Sequence, residues 1–344
     1  MKASAVVAVL GALAVGFTFL PRRPGSTDAA PPTSSKSSAV RVGLVFDVGG
    51  RGDKSFNDGA YLGLTRAAKE LGVETEYLEP AGGEDREAAL RLFAARDLDL
   101  VIGVGVAFKS DVYAVATAYP KVHFACVDCA ASPDESPPGN ITTLLFREEE
   151  GSFLVGAVAG LMTKTQHVGF VGGMTLPLIR KFDAGYTQGV KAVCPGCEVH
   201  SAYAGATFDA FRDPAKGKTL AISEVSAGAD VIFHASGATG HGVFEGARDA
   251  HVFAIGVDSD QYDEMPGTVL TSMIKRLDVA VFDAIKSVTE HRFEGGVKVL
   301  GLKDGGIDWV HEGPHGALIP DDVKARVEAL RQQIISGELH LEVP

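Results

Sequence analysis

One segment of this chain occurs twice. Val42-Gly43-Leu44-Val45 returns as Val168-Gly169-Phe170-Val171, and Phe56, Gly59 and Gly63 return as Phe182, Gly185 and Gly189, all 126 residues on (168 less 42, 182 less 56, 189 less 63). A second block repeats with it. Val101-Ile102, a glycine-containing turn, a helical stretch and a strand closing on Asp128 match Val231-Ile232 and a strand closing on Asp258, 27 residues separating valine from acid in both copies (128 less 101, 258 less 231). Several features aligned at a nearly constant offset point to duplicated halves. In each half apolar runs of strand length alternate with helical patterns, which makes right-handed crossovers and a parallel sheet. Two such lobes facing one another leave a cleft between them.

The chain is long enough for this: 344 residues, 46% hydrophobic, give room for two α/β lobes. A formal charge of -12 argues against nucleic acid, whose phosphates would be repelled. Residues 1–20 hold Lys2 and an apolar run from Ala3 to Leu20, which reads as a signal peptide or an N-terminal anchor. Export is expected, and cleavage and retention both stand open, because Arg22 and Arg23 follow the run without a clear small-x-small site before Ala29 and Ala30. Residues 21–40 lack apolar periodicity and are expected to be a disordered tether reaching roughly 25 Å as a coil. No cysteine precedes Cys126, so acylation of an N-terminal cysteine is not expected from this start site.

The expected strands of the first lobe are 42–47, 73–78, 100–104, 123–127 and 141–146, with helices at 56–71, 84–95 and 109–118. The second lobe repeats this with strands near 168–171, 198–203, 231–234, 252–257 and 269–272. A helix at 277–291, apolar at Leu277, Val281, Ala284, Ile285 and Val288, buries one face. A strand near 297–302 and a helix at 321–336 close the chain. The late elements are expected to cross back between lobes: 41–148 with about 273–300 as the N-terminal lobe, 149–272 with about 301–344 as the C-terminal one.

In a doubly wound sheet the ligand sits beyond the carboxyl ends of the strands. The stretch from Val45 to Asp58 therefore brings Asp47, Phe56 and Asn57 to one crevice, with Ser55 and Asp58 read as a capping box that starts the helix at Phe56. The acids Asp47, Asp111, Asp128 and Asp258 all fall near strand ends, and Lys275 follows the strand VLTSM. Carboxylates accept from vicinal hydroxyls and a lysine adds a charged donor. Phe56, Phe108 and Phe211 offer ring faces, and Gly237 and Gly240 let backbone approach a ligand. Against this stands the plainer reading of each acid as a cap or turn residue, of Phe56 as core and of the glycines as tight turns.

The four cysteines form two C-x-x-C pairs, Cys126 with Cys129 and Cys194 with Cys197. The gap between pairs is far longer than a zinc ribbon uses. In an exported chain local disulfides are the better reading, foremost for Cys194 and Cys197, where Pro195 and Gly196 make the turn. Structural disulfides or free core thiols lead, with a metal and redox chemistry as the lesser alternatives.

Catalytic constellations are poor. No H-x-x-H or H-E-x-x-H is set in a helix, and His234 reads more readily as a satisfied core histidine than as a functional one. Gly217-Lys218-Thr219 lacks the first glycine of a phosphate loop, and there is no G-x-S-x-G elbow. Recognition groups without an activated nucleophile favour binding over turnover, and no cofactor or metal is expected.

VGLVFDVGGRGDKSFNDGAYLGL, EEEGSFLVGAVAGLMT, HVGFVGGM, FRDPAKGK, GADVIFHASGATGHGVFEGA, IGVDSDQ and VLTSMIKRLD, in that order, resemble the basic membrane protein family of solute-binding proteins, from about Val42 to the C-terminus. The resemblance implies a type I periplasmic-binding-protein fold with hinge crossovers, a purine-nucleoside-like ligand bound by closure, and an ABC permease as partner. It carries ligand roles onto Asp47, Phe56, Asn57, Asp111, Phe211, Gly237, Asp258 and Lys275. Phe56 and Phe211 would sandwich the base, and Asp258 and Lys275 would hold ribose hydroxyls. The approach to FRDP is longer than the family's, so Phe208 competes with Phe211 as second plate. Many family members are lipoproteins, which this chain's missing lipobox cysteine departs from. The expectation is a monomeric, exported protein in the periplasm or tethered to the outer face of the cytoplasmic membrane. The rivals are a periplasmic sensing module for a membrane partner and a nucleoside-processing enzyme.

Overall fold

The computed structural model describes residues 39–80, 85–132 and 135–344. The expected signal or anchor segment, and all but the last two residues of the tether, lie outside the described residues. The chain runs β1 (Arg41–Val45), α1 (Phe56–Leu71), β2 (Glu74–Leu78), α2 (Asp85–Ala95), β3 (Leu100–Val104), α3 (Lys109–Ala118), β4 (His123–Val127), β5 (Ile141–Phe146) and α4 (Glu148–Met162). It continues through β6 (His167–Met174), α5 (Pro177–Val193), β7 (Glu198–Gly205), α6 (Pro214–Ser226), β8 (Val231–Ala235), α7 (Gly240–Asp249), β9 (Phe253–Asp258) and β10 (Val269–Lys275). Then follow α8 (Leu277–Thr289), β11 (Gly296–Leu300), β12 (Ile307–Trp309) and α9 (Asp321–Ser336).

These strands make two sheets, ordered β11-β5-β4-β3-β1-β2 and β12-β10-β9-β8-β6-β7. The order β2-β1-β3-β4-β5 thus returns as β7-β6-β8-β9-β10, which is the duplication read from the sequence. Among the described residues the pairings are parallel except that of β12 with β10. The inner strands β3 (LVIGV) and β8 (VIFHA) are buried at every residue, as helices on both faces of a parallel sheet require. The edge strands β2 and β7 have no fully buried residue.

Three connections pass between the sheets: β5 to α4 at Arg147, β10 to α8 at Arg276, and β11 to β12 through residues 301–306. They are stitched together, since Arg147 N donates to Leu300 O at 2.9 Å and Arg276 N to Gly306 O at 2.8 Å. After the first two crossings the helices pack symmetrically, α4 against α5 and α8 against α1. The repeated glycines make this close approach. A Cβ on Gly63 would sit 2.6 Å from the Asp278 carbonyl oxygen, and one on Gly189 would run into the carbonyl of Phe153. Overfilling a contact of this kind costs roughly 1–3 kcal/mol.

Helix α4 is where expectation and structure differ most. It is buried from Gly151 to Ala159 without a break, so it has no polar face, and a period of 3.6 residues cannot show. Two bounds also move: β6 continues to Met174, and β10 runs on to include Lys275 rather than ending before it. Both cysteine pairs, Cys126 with Cys129 and Cys194 with Cys197, are disulfides.

Candidate functional site

The site grows from the loop between β1 and α1. Asp53, not Ser55, organises it: its carboxylate accepts from Ser55 N at 3.0 Å, Asn57 N at 2.8 Å, Asp58 N at 3.1 Å and Asn57 Nδ2 at 3.1 Å. Asp58 accepts from Gly52 N and Lys54 N on the loop itself. The expected Ser55–Asp58 capping box is therefore not formed, because Asp53, two residues earlier, takes the amides at the helix start and leaves the serine hydroxyl free. Ser55 Oγ instead donates to Asp258 Oδ2 at the end of β9 in the other sheet. Beside it the Lys54 carbonyl accepts from Ser259 Oγ at 2.6 Å and Gln261 Nε2 at 3.2 Å. One loop of the first sheet is thus clasped to the strand end of the second.

Asp47 lies next to this loop. Its amide donates to Asn57 Oδ1 at 3.0 Å, and its Oδ1 accepts from Val48 N at 2.7 Å. Since Asn57 spends its oxygen on Asp47 and its Nδ2 on Asp53, it positions the acids. A side chain at Gly105 would collide with the Asp47 carboxylate, so the turn after β3 must be bare. Burial pushes Asp47 up to about 7, and Asp258 up to about 6.

The twin acids Asp128 and Asp258 share a left-handed backbone, φ 62 and φ 67. They close equivalent strands, and both point into the same space. Lys275 Nζ, at the end of β10, lies 2.7 Å from Asp128 Oδ2 and 3.0 Å from Glu148 Oε1. Behind it Lys181 Nζ lies 2.7 Å from Glu148 Oε2 and donates to Phe146 O at 2.9 Å. Burial alone would lower the Lys275 ammonium, but Asp128, Glu148 and Asp258 together hold it above the ordinary lysine range. Burial likewise raises Glu148, and the two lysines more than offset it. Asp128 Oδ1 is buried with no donor from the described residues.

A cavity of about 80 Å³, partly open to solvent, lies between these groups. Asp47, Phe56, Asn57, Asp128, Phe211, Gly237, Asp258 and Lys275 line it together, and so do Asp53, Phe182 and Phe208. Phe208 and Phe211 both reach the wall. The Phe211 ring occupies the space above Gly173, where any Cβ would strike it. Gly237 has φ 56, and a Cβ on it would come 3.1 Å from the Phe211 carbonyl.

Asp111 does not line the cavity. It stands in the first turn of α3, paired to Arg86 at 3.2 Å, so a guanidinium claims the carboxylate. Phe108 is fully buried in the core beneath β3. His234 is a buried core histidine, 3.1 Å from Gln261 Oε1 and 3.3 Å from Ser236 Oγ, and burial pushes it down to about 3. Sequence reasoning missed Asp53, Ser55, Glu148, Lys181 and Phe182. For Phe182 there was a signal: it is the repeat counterpart of Phe56.

The family model described as ABC transporter substrate-binding protein PnrA-like matches residues 40–342. A CD4+ T-cell-stimulating antigen of Listeria monocytogenes is 38% identical over 91% of this chain and 91% of its own length. The ABC transporter nucleoside-binding protein BmpA of Lactococcus lactis is 31% identical over 91% of this chain and 92% of its own length. Among solved structures, an ABC transporter solute-binding protein of Aeropyrum pernix superposes with a TM-score of 0.79 at 33% identity, covering 89% of this chain and 94% of that one.

Proposed function

The chain belongs to the family of PnrA-like ABC transporter substrate-binding proteins, solute-binding proteins rather than enzymes, and from that premise we propose that its solute is a purine nucleoside. The observation that carries this reading is the cavity between the sheets walled by Asp47, Asp128, Asp258 and Lys275 and by the rings of Phe56, Phe182, Phe208 and Phe211. Vicinal ribose hydroxyls are donors that suit the carboxylates of Asp47, Asp128 and Asp258 lining it. A purine is a flat ring that suits the phenyl faces. The relative named as nucleoside-binding supports the same chemistry.

In this reading residues 41–147 with 276–300 and residues 148–275 with 301–344 are the two lobes, the expected bounds at 148 and 273 moving to the crossings at Arg147 and Arg276 because β10 stays in the second sheet to Lys275, and the lobes move about the three crossings. Ligand contacts to both lobes, added to the clasp at Lys54 and Ser55, shift the population toward the closed form that an ABC permease takes up. The protein is exported, in keeping with relatives that are named lipoproteins, and works in the periplasm or tethered to the outer face of the cytoplasmic membrane.

The test is calorimetry on protein unfolded, washed free of ligand and refolded, titrated with purine and pyrimidine nucleosides, free bases and pentoses. Purine nucleosides should bind tightest, at one per chain, and be recovered intact. Tight binding of pentoses or other polar solutes with no response to any nucleoside would sink the assignment.

A further inference from the structure

A second cluster of chemistry-bearing side chains lies at the opposite end of the second sheet. In a strand, residues two apart share a face, so Glu198 and His200 of β7 point the same way. The parallel register sets His167 of β6 beside Glu198, and so brings the three onto one face. His167 Nδ1 is 3.1 Å from His200 Nε2 and 3.6 Å from Glu198 Oε2, and one ligand atom from each residue falls within 4.8 Å of the others. Two nitrogens of one tetrahedral ion at Zn–N distances of about 2.0–2.1 Å lie about 3.3 Å apart, close to the imidazole separation found here. The rings stack at 10°, and Gly228 of the turn after α6 comes up to the His167 ring, where a Cβ would lie 3.2 Å from its Cγ.

We propose that His167, Glu198 and His200 form a binding site for a divalent transition metal of the zinc type, pinning the exposed edge strand β7 to β6. Two imidazoles and one carboxylate are a donor set that such ions accept, while calcium and magnesium prefer oxygen alone. Three protein ligands leave the fourth position to water. To hold the ion through His167 Nδ1 and His200 Nε2, the imidazoles carry their protons on the far nitrogens, His167 Nε2 and His200 Nδ1. His167 opens β6, whereas the solute cavity lies past the carboxyl end of that strand, roughly 20 Å away at a strand's rise per residue. The metal therefore acts on the sheet and not on the cleft.

The experiment is titration of zinc chloride into the metal-free full chain, followed by calorimetry and thermal melting, with calcium and magnesium in parallel. One zinc per chain should bind, the melting temperature should climb with zinc concentration, and calcium and magnesium should do neither. His167→Ala and His200→Ala should each weaken binding at least tenfold, and Glu198→Gln by less. Hydrogen exchange at β7 amides should slow with zinc in the wild type alone. His167→Gln and His200→Gln serve if the alanine variants misfold. Absence of zinc binding up to millimolar concentration, or wild-type binding by both histidine variants, would overturn the proposal, as would an equal response to calcium.

Discussion

Where the first sheet presents Asp47 at the end of its leading strand, the second has Gly173, the residue 126 positions later, and Phe211 fills the space a side chain would take. The helix that follows carries a phenylalanine in both halves, Phe56 and Phe182, and both reach the cavity. Beyond Phe56 the halves diverge. The first contributes Asp47, Asp53, Asn57 and Asp128; the second contributes Leu176, Leu178, Ile179 and three phenylalanines, with polarity confined to Ser236, Asp258 and Lys275. Duplication supplied a symmetric frame, and departures from symmetry made one wall polar and the other apolar. A ligand with a hydroxylated part and a flat part fits such an unequal pair of walls.

Even the residues that kept their identity have parted in role. Asp128 neutralises Lys275 inside the protein, at 2.7 Å, whereas Asp258 accepts from the Ser55 hydroxyl. Removing the shared cation is the severest test. Lys275→Met should leave Asp128 and Glu148 short of charge and cost about 3–5 kcal/mol in chemical denaturation, with nucleoside binding lost. Near-native stability would show that the pair is not the joint between the sheets.

The twin acids can then be told apart. Asp128→Ala leaves the buried Lys275 ammonium with Glu148, already shared with Lys181, as its remaining close partner and should cost about 3 kcal/mol of stability, while Asp258→Ala should weaken nucleoside binding at least tenfold, about 1.4 kcal/mol, and scarcely move the ligand-free melting point. Equal effects in both assays would erase the distinction. Titration sharpens it further. Burial places Asp47 at about 7 and Asp258 at about 6 against 3.8 for an ordinary aspartate, so the folded state holds protons that the unfolded state gives up. That stability is fully present below pH 3.8 and is lost as pH rises through 6 to 7. Nucleoside affinity should move the other way and strengthen across the same window, as the carboxylates become full acceptors. Asp47→Asn should flatten the upper part of both profiles, and profiles unchanged in that variant would remove Asp47 from the account.

The smallest contrast is between the disulfides. Cys194 and Cys197 close a turn at the end of α5, so Cys194→Ser with Cys197→Ser should cost about 2 kcal/mol and leave affinity alone. The ring closed by Cys126 and Cys129 contains Asp128, so the matching serine pair should lower stability and affinity together. Affinity untouched by both would mean that Asp128 needs no covalent hold.

How far the sequence reached depended on whether a residue's partner was local. The repeat revealed two similar parallel-sheet halves and the placing of Asp128 and Asp258, because period and spacing are properties of the chain itself. Asp111 went astray because Arg86, the group that claims it, lies 25 residues away on another helix. Glu148 was invisible because α4 is buried from Gly151 to Ala159 and carries no stripe to mark it as a helix, and Lys181, on α5, because the acid it meets lies 33 residues back on another helix. His167, Glu198 and His200 needed a strand register that no spacing announces. Ser55 was misassigned between two competent caps, Asp53 and itself, and only the closed loop shows which amides each one meets.

That substitution of caps has a consequence for tuning. With Asp53 anchoring α1, the hydroxyl of Ser55 touches the opposite half without any duty in its own. Evolution could therefore retune how readily the jaws part, and hence how quickly cargo is surrendered, by editing one oxygen atom, while the walls that recognise the cargo stay untouched.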